Sequence, residues 1–181
     1  MVYIMLADGF EEIEALAVVD ILRRGDVKIS TVSVYNKQTV SGAHSINVIP
    51  DIMFDDISYD DCECIILPGG MPGTVNLQEN SKLVTLLKNA FLDGKYIGAI
   101  CAAPMILGQL GFLKDKEATC YPSFEEYLLD AKVSNKRVCV AENIITSRGA
   151  GTAHDFAFAL LETLKGKDTS DKTKESMLYD C

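Results

Sequence analysis

Apolar runs of strand length alternate with amphipathic stretches of helix length along this chain. Residues 2–7, 27–35 and 62–67 are mostly apolar and predict buried strands. Residues 11–24 and 81–92 have apolar positions at helical spacing and predict amphipathic helices between the strands. Strands that alternate with helices form a mostly parallel sheet covered by helices on both faces. The pattern therefore predicts an α/β fold.

The first predicted helix, 11–24, has one side formed by apolar positions with a single aspartate among them: Ile13, Leu16, Ala17, Asp20 and Ile21. Gly25 follows at the position that a C-cap glycine prefers. Glu11 and Glu12 stand at the N-terminus, where solvated acidic side chains complement the helix dipole. We therefore expect Ile13 in the core and both glutamates in solvent.

Shorter segments of strand character lie outside this alternation. Residues 39–50 predict a hairpin that turns near Ser41 and Gly42 and extends one edge of the sheet. Residues 138–140 and 144–146 predict two further strands or a second hairpin.

The C-terminal part of the chain contains one clear helix and a polar tail. Thr152 and Asp155 have the spacing of a capping box, which predicts a helix from this point to about Lys165. The tail, residues 166–181, is polar and predicts at most a last short helix through residues 177–179.

Composition and charge argue against some classes of binding partner. The chain has 181 residues, of which 48% are hydrophobic and 24% charged, so we expect one globular domain over residues 1–181. The net charge is −9 with no basic cluster, which argues against nucleic acid or an anionic membrane as partner. The apolar runs are too short to span a bilayer. The chain begins with an apolar strand instead of a charged signal-peptide region, so we expect a cytoplasmic protein.

The six cysteines of a cytoplasmic chain are expected to be reduced. Cys62 and Cys64 alternate within a predicted strand, so we expect both in the core on one face of it. The two histidines, His44 and His154, are far apart in sequence and lack metal-ligand spacing. We therefore predict no metal site and no cofactor.

The segment 95–104 has the most distinctive chemistry of the chain. An apolar run ends at Cys101, small residues follow, and a second apolar run begins after Pro104. This pattern is typical of a strand–turn–helix elbow, which presents one side chain at the carboxyl edge of a sheet. Backbone N–H groups and the dipole of the following helix favour the thiolate form of a cysteine there. The alternative is a buried core cysteine.

Two other predicted loops reach the same edge, because the carboxyl ends of parallel strands lie together. They span residues 7–14 and 68–73, and the glycines of the second can present backbone N–H groups to a ligand. Glu14 lies a turn beyond Glu11 and is expected to project into the crevice, where burial raises the pKa of a carboxyl group. A protonated Glu14 beside Cys101 can donate a hydrogen bond and transfer protons.

Four separated motifs resemble the ThiJ/PfpI superfamily, in the branch that contains the human parkinsonism-associated protein deglycase. The motifs are residues 11–14, 67–70, 100–104 and 146–152, within a match that runs from residue 2 to about residue 165. The resemblance implies a flavodoxin-like doubly wound sandwich, usually a homodimer, with an oxidation-sensitive cysteine on the elbow.

The resemblance also implies roles for individual residues. It places the nucleophile at Cys101 and its carboxylic acid partner at Glu14. Gly70 and Ala102 match positions whose backbone N–H groups form an oxyanion hole, and Tyr121 matches a position that lines the pocket.

The chain departs from the superfamily pattern at three positions. Tyr121 stands where the human member has a histidine, and His44 stands where that member has an arginine. Ala102 occupies the position at which the protease-like members carry a histidine directly after the cysteine. A Cys–His hydrolytic dyad is therefore poorly supported.

The leading hypothesis is a glutathione-independent glyoxalase or protein deglycase that acts on methylglyoxal or on early glycation adducts of proteins. An alternative is a redox-sensing cysteine protein or stress chaperone without a dedicated substrate, because oxidation selects accessible thiols of low pKa. A protease- or amidotransferase-like hydrolase is less well supported, since it needs a histidine near the cysteine.

Cys120 is the other cysteine close to a motif of the expected site. Adjacent residues of an extended segment point to opposite sides, so Cys120 is expected to face away from the pocket when Tyr121 faces into it. A disulfide needs close Cα atoms and suitably directed Cβ atoms. We therefore predict that Cys120 does not bridge to Cys101.

Overall fold

The computed structural model describes residues 1–179 and contains a central sheet between two layers of helices. The strands described are β1 Val2–Leu6, β2 Ile29–Ser33, β3 Val40–Ser41, β4 Asn47–Val48, β5 Ile52–Met53, β6 Cys64–Leu67, β7 Tyr96–Ile100, β8 Glu117–Ala118, β9 Lys132–Val133, β10 Val138–Ala141 and β11 Ile144–Ser147. The α-helices described are α1 Glu12–Arg24, α2 Gly73–Glu79, α3 Ser81–Leu92, α4 Pro104–Gln109, α5 Ala153–Lys165 and α6 Lys167–Ser176.

The central sheet has seven strands in the order β10-β11-β7-β6-β1-β2-β5. All neighbours in it are parallel except β10 and β11, which form an antiparallel hairpin at one edge. The α/β, mostly parallel, flavodoxin-like fold predicted from the sequence is confirmed. The second hairpin, predicted over residues 138–146, is confirmed as well.

Helices cover both faces of the sheet because its strands are apolar on both sides. Along β1, Val2, Ile4 and Leu6 pack with α1 and α5, whereas Tyr3 and Met5 pack with the layer formed by α2, α3 and α4. The chain therefore buries two separate apolar cores, as a doubly wound sheet requires. The carboxyl ends of β1, β6 and β7 lie side by side at one edge of the central sheet, where their loops can meet.

The buried side of α1 differs from the predicted one. Ile13 is 54% exposed and Leu16 is 38% exposed, so their expected place in the core is wrong. The helix instead buries a neighbouring stripe that includes Ala15, Val18 and Leu22, because this stripe packs against α5 and the sheet. The stripe also carries Glu14 inward.

Gly25 ends α1 as predicted, but for a packing reason. Its φ of −86° is accessible to any residue, so the helix does not need a left-handed glycine here. A Cβ atom at this position would lie 2.3 Å from Cδ1 of Leu161 in α5. The glycine therefore allows the close approach of α1 and α5.

The hairpin predicted at residues 39–50 forms, but it does not extend the central sheet. Its strands β3 and β4 pair only with each other, and its turn spans residues 42–46. Glu12 Oε1 accepts the backbone N–H groups of His44 and Ile46 at 2.7 and 3.4 Å. These contacts hold the hairpin loop against the start of α1, away from the sheet edge.

Two local predictions near the C-terminus are corrected, and one helix elsewhere was not predicted. Thr152 does not cap α5 through a capping box; its hydroxyl instead bonds the backbone of Gly149. The tail helix is α6, which ends at Ser176, so residues 177–179 form a turn and the rest of the tail lies outside the described residues. The helix α2 directly after the glycine-rich loop was not predicted.

Cys62 and Cys64 are both buried, as predicted, but they do not share a face. Cys64 belongs to the core under α1 and α5, and Cys62 belongs to the opposite core. The alternation fails because β6 begins only at Cys64, so Cys62 lies outside the regular strand.

Candidate active site

Cys101 lies on a tight turn between β7 and α4. Its φ of +64° is in the left-handed region, which non-glycine residues rarely adopt. The turn is held on both sides, because the Cys101 N–H donates to Ser147 O at 3.0 Å and its carbonyl accepts the N–H of Tyr121 at 2.8 Å. A strained backbone fixed in this way is typical of nucleophile elbows and of other functional sites.

The first helix carries Glu14 to the same place. Glu11 caps α1, with its Oε2 accepting the N–H of Glu14 at 2.7 Å. The Glu14 side chain is 1% exposed, and its Oε2 accepts the N–H of Gly69 at 2.8 Å. Its Oε1 is buried without a hydrogen-bond partner within residues 1–179. The carboxyl group is therefore fixed by one oxygen and leaves the other available.

The glycine-rich loop after β6 is the third segment of the site, beside the elbow at Cys101 and the start of α1. The backbone N–H groups of Gly70 and Ala102 favour a negative charge on the Cys101 sulfur, because their hydrogen bonds lower the pKa of the thiol. Gly70 has a φ of +89°, and a Cβ atom there would lie 2.5 Å from the backbone of Glu11. Glycine is therefore required at this position if the loop is to approach the start of α1.

Burial and charge set the protonation of the pair formed by Glu14 and Cys101. Desolvation and then the nearby charge of Glu11 raise the pKa of Glu14 from 4.5 to about 7, although the Gly69 N–H opposes this. Desolvation and then the charge of Glu14 raise the pKa of Cys101 from 9.0 to about 12. The N–H groups of Gly70 and Ala102 lower the pKa of the thiol but do not outweigh these two causes.

The expected bias of Cys101 toward thiolate is therefore wrong for the free site with Glu14 ionised. The following helix, α4, has only six residues, and burial beside a carboxylate opposes its dipole. Protonation of Glu14 removes the second-largest cause of the raised thiol pKa. The two groups are consequently coupled, and the proton of one determines the reactivity of the other.

Glu11 and Glu12 are not solvated as expected. They are 9% and 4% exposed, respectively, because both face the loop of the first hairpin. His44 Nδ1 donates to Glu12 Oε2 at 2.8 Å and lies 3.9 Å from Glu11 Oε1. The pKa of His44 is raised by its hydrogen bond to Glu12, and this hydrogen bond also helps to lower the pKa of Glu12 against desolvation.

These three side chains are the group within residues 1–179 that has the spacing of metal ligands, with their ligand atoms within 4.8 Å of one another. Glu12 and His44 are already hydrogen-bonded to each other, and Glu11 caps α1 through its Oε2. Hydrogen bonds within the protein account for the cluster, so it does not support a metal site.

Tyr121 lies next to the elbow and is 50% exposed. Its ring forms one wall of a cavity of about 390 Å³ that is also bounded by Arg148 and by residues 149–152. Cys120 is 3% exposed and packs in the core on the side of α4, so the two neighbours do point to opposite sides. Cys101 and Cys120 are both free cysteines.

Both histidines have partners of their own. His44 bonds Glu12, and the ring of His154 stacks on Tyr179 with a centroid distance of 6.0 Å.

Gly69 is the residue of the site that the sequence did not single out. Its position before Gly70 was visible in the sequence, but the bond from its N–H to Glu14 joins residues 55 apart and has no local signal.

Comparisons with known proteins agree on one family. The DJ-1/PfpI family matches residues 1–163. Protein DJ-1 homolog A of Arabidopsis thaliana is 37% identical over 180 residues, which cover 98% of this chain but only 46% of the longer plant protein. The glutathione-independent glyoxalase DJR-1.2 of Caenorhabditis elegans is 32% identical over 163 residues, covering 89% of this chain and 86% of that protein.

A solved structure shows the same fold over the whole described chain. Oxidized DJ-1 of Toxoplasma gondii superposes with a TM-score of 0.94 at 33% sequence identity, covering 99% of this chain and 98% of that one. In residues 1–179, no helix is both long enough and apolar enough to cross a membrane.

Proposed function

Because this chain belongs to the DJ-1/PfpI family, we propose that it is a cysteine-dependent glyoxalase or deglycase that acts on methylglyoxal or on early glycation adducts. The observation that carries the proposal is the environment of Glu14. Its carboxyl group is buried, shares a hydrogen bond with Cys101 and has a pKa near neutrality, and its Oε1 has no hydrogen-bond partner within residues 1–179. Such a group can accept and return protons at the carbon atoms of a bound aldehyde.

In the first step, the Cys101 sulfur attacks the aldehyde carbon of methylglyoxal. The Glu14 carboxylate accepts the thiol proton as the sulfur–carbon bond forms, because bond formation makes that proton acidic. The N–H groups of Gly70 and Ala102 stabilise the negative charge that develops on the aldehyde oxygen. Glu14 then protonates this oxygen, and the product is a hemithioacetal.

In the second step, hydrogen moves between the two adjacent carbon atoms. Glu14 removes the proton from the carbon bonded to sulfur while a water molecule donates a proton to the neighbouring carbonyl oxygen, which gives an enediol and hydroxide. Glu14 then returns its proton to the neighbouring carbon, the hydroxide takes the proton of the enediol hydroxyl on the first carbon and becomes water again, and a thioester of Cys101 results. Water cleaves this thioester and restores the thiol, so methylglyoxal and water give lactate without any external oxidant or reductant.

A substrate panel tests this proposal. Wild type and Cys101→Ser are assayed with small α-oxoaldehydes and with freshly glycated peptides, in the absence of glutathione. Lactate formation that requires Cys101 supports glyoxalase activity, and release of unmodified peptide supports deglycase activity. Absence of both activities in the folded wild type would contradict the proposal.

The same geometry favours one second candidate, a redox sensor. The N–H groups of Gly70 and Ala102 and a protonated Glu14 can all donate hydrogen bonds to the oxygens of a Cys101 sulfinate. Graded peroxide treatment followed by mass spectrometry distinguishes the two functions. Selective sulfinate formation without aldehyde turnover favours the sensor, and turnover without selective sulfinate formation favours the enzyme.

We also propose that the protein is a cytoplasmic homodimer. Four large apolar side chains are exposed on α1 and on the neighbouring hairpin: Ile13, Leu16, Ile46 and Ile49. Exposed large apolar side chains on neighbouring elements are typical of an interaction surface when they form one patch, and we propose that these four do. Light scattering after size exclusion should give a dimer for wild type and a smaller mass for Ile13→Glu.

A further inference from the structure

A cavity of about 390 Å³ opens beside Glu14 and is not used by the mechanism above. Tyr121 and Gly149 both line it, and both also border the active site. A Cβ atom on Gly149 would lie 3.2 Å from the Tyr121 ring and 3.8 Å from the unpartnered Oε1 of Glu14. Gly149 therefore lies between the cavity and the Glu14 carboxyl group, at a position where a side chain would contact both Tyr121 and Glu14.

Two arginines line this cavity, and they differ in whether a carboxylate neutralises their charge. The guanidinium of Arg137 donates twice to Oδ2 of Asp155, at 2.8 and 2.5 Å, and is therefore neutralised. Arg148 donates through one nitrogen to Asn135, to the side-chain oxygen at 2.8 Å and to the carbonyl at 3.3 Å. Over residues 1–179, no carboxylate lies within ion-pair distance of Arg148, although acidic residues outnumber basic ones by 26 to 17.

Residues 150–152, which also line the cavity, add further positive potential. Residues 150–152 form a short 3-10 turn that leads directly into α5, a helix of 13 residues. The N-terminus of such a helix carries partial positive charge. A partly buried arginine with its planar fork is suited to a carboxylate or a phosphate group.

We propose that this cavity binds an anionic group of the substrate, either a carboxylate or a phosphate, while the carbonyl end of the same molecule reaches Cys101. Arg148 is then a residue that determines specificity, and Gly149 leaves room between the two subsites, because a side chain there would contact both Tyr121 and Glu14. The effect of this subsite on catalysis rests on the proposed aldehyde chemistry. The anion subsite itself does not depend on turnover, and it is tested separately.

Binding tests the subsite without reference to catalysis. Calorimetric titration with inorganic phosphate and with succinate compares wild type, Arg148→Gln, Arg148→Lys and Arg24→Gln. Arg24 is an exposed arginine of α1 that pairs with Asp20, so its replacement changes the net charge equally but away from the cavity. We expect Arg148→Gln to lose binding of one or both anions, Arg148→Lys to retain it weakly, and Arg24→Gln to bind as wild type does.

Turnover tests the consequence for substrate choice. Dioxovaleric acid is compared with its methyl ester, and hydroxypyruvaldehyde phosphate with free hydroxypyruvaldehyde, so that the carboxylate and phosphate arms are separate. Loss of a charged hydrogen bond should lower kcat/KM of Arg148→Gln for the anionic members by about 10- to 100-fold. Turnover of methylglyoxal should stay within about twofold of wild type, because it lacks the anionic group.

The outcomes separate this inference from the proposed function. Binding that depends on Arg148 in a protein without aldehyde turnover supports the subsite and contradicts the glyoxalase proposal. Turnover of methylglyoxal without anion binding, or with an equal effect of Arg148→Gln on charged and neutral members, overturns the subsite and leaves the glyoxalase proposal intact.

Discussion

The backbone N–H of Gly69 donates to Oε2 of Glu14 at 2.8 Å, and this bond orients the carboxyl group beside the Cys101 sulfur. The bond exists because the loops after β1 and β6 meet at the carboxyl edge of the sheet, where the Glu11 N–H also bonds Gly69 O at 2.9 Å. Parallel strands thus bring together an acid and a thiol that are 87 residues apart in the sequence.

Replacement of Gly69 by alanine should disrupt this arrangement. The new Cβ atom would lie 2.5 Å from the Cβ atom of Cys101 and 2.7 Å from Glu14 Oε2, so one of these groups must move. We expect at least a tenfold loss of methylglyoxal turnover and a destabilisation of about 1–3 kcal/mol from overpacking. Steady-state kinetics and urea unfolding measure the two effects. Normal turnover in Gly69→Ala would show that the position of Glu14 relative to Cys101 is unimportant.

Glu14 should reduce the stability of the folded protein at high pH. Its pKa rises from 4.5 in the unfolded chain to about 7 in the folded protein, so ionisation favours unfolding as the pH rises through this window. Glu14→Gln removes this ionisation and should be more stable than wild type above pH 7, by up to about 3 kcal/mol. The advantage should disappear below pH 4.5. Urea unfolding of both proteins from pH 4 to pH 8 measures it, and a constant difference across that range would contradict the assignment.

His44 should also contribute stability that is lost as the pH rises, but in a higher pH window than Glu14. Its pKa is raised above 6.5 by Glu12, so its contribution is complete below pH 6.5 and is lost as the pH rises through the higher pKa of the folded state. The destabilisation caused by His44→Asn should therefore shrink as the pH rises. His154→Asn is the matched control, since His154 has an aromatic neighbour and no ion pair within residues 1–179.

Methylglyoxal turnover at neutral pH should stay largely intact in both histidine variants, because neither residue belongs to the proposed proton path. A loss of activity comparable with that of Cys101→Ser in either variant would instead support a Cys–His hydrolase.

Peroxide should not join Cys101 to Cys120. Cys120 is 3% exposed in the core, and burial raises its pKa to about 11, so it is a poor nucleophile toward an oxidised Cys101. We expect sulfinate at Cys101 as the main product of mild oxidation. Non-reducing peptide mapping detects it, and a crosslinked peptide containing both cysteines as the main product would require a different geometry.

The sequence predicted the main strands and helices of the central fold, although not α2, and the elbow at Cys101, because these have local signals. Apolar runs predict strands, and small residues after a strand predict a tight turn. The position of Glu14 in the crevice also agreed with the expectation, although the reason given for it was incomplete. Its place a turn beyond Glu11 suggested that it projects inward, yet the residue before it, Ile13, which was expected in the core, is exposed.

Other features of the site depend on contacts between distant parts of the chain. Glu12 is buried because a hairpin loop 32 residues away bonds to it, and no local pattern predicts that partner. The net pKa of Cys101 could not be predicted from the helix dipole either. Burial and the charge of Glu14 act against the dipole, and their strength depends on the packed structure.

The most direct test of the central claim is the rate of lactate formation from methylglyoxal by Glu14→Gln. Loss of general acid–base catalysis should lower kcat by about 10²–10⁴-fold. The variant should still fold, and Cys101 should still react with iodoacetamide, which separates loss of proton transfer from loss of the nucleophile. Near-normal lactate formation by Glu14→Gln would contradict the claim that this carboxyl group moves the proton between the substrate carbons.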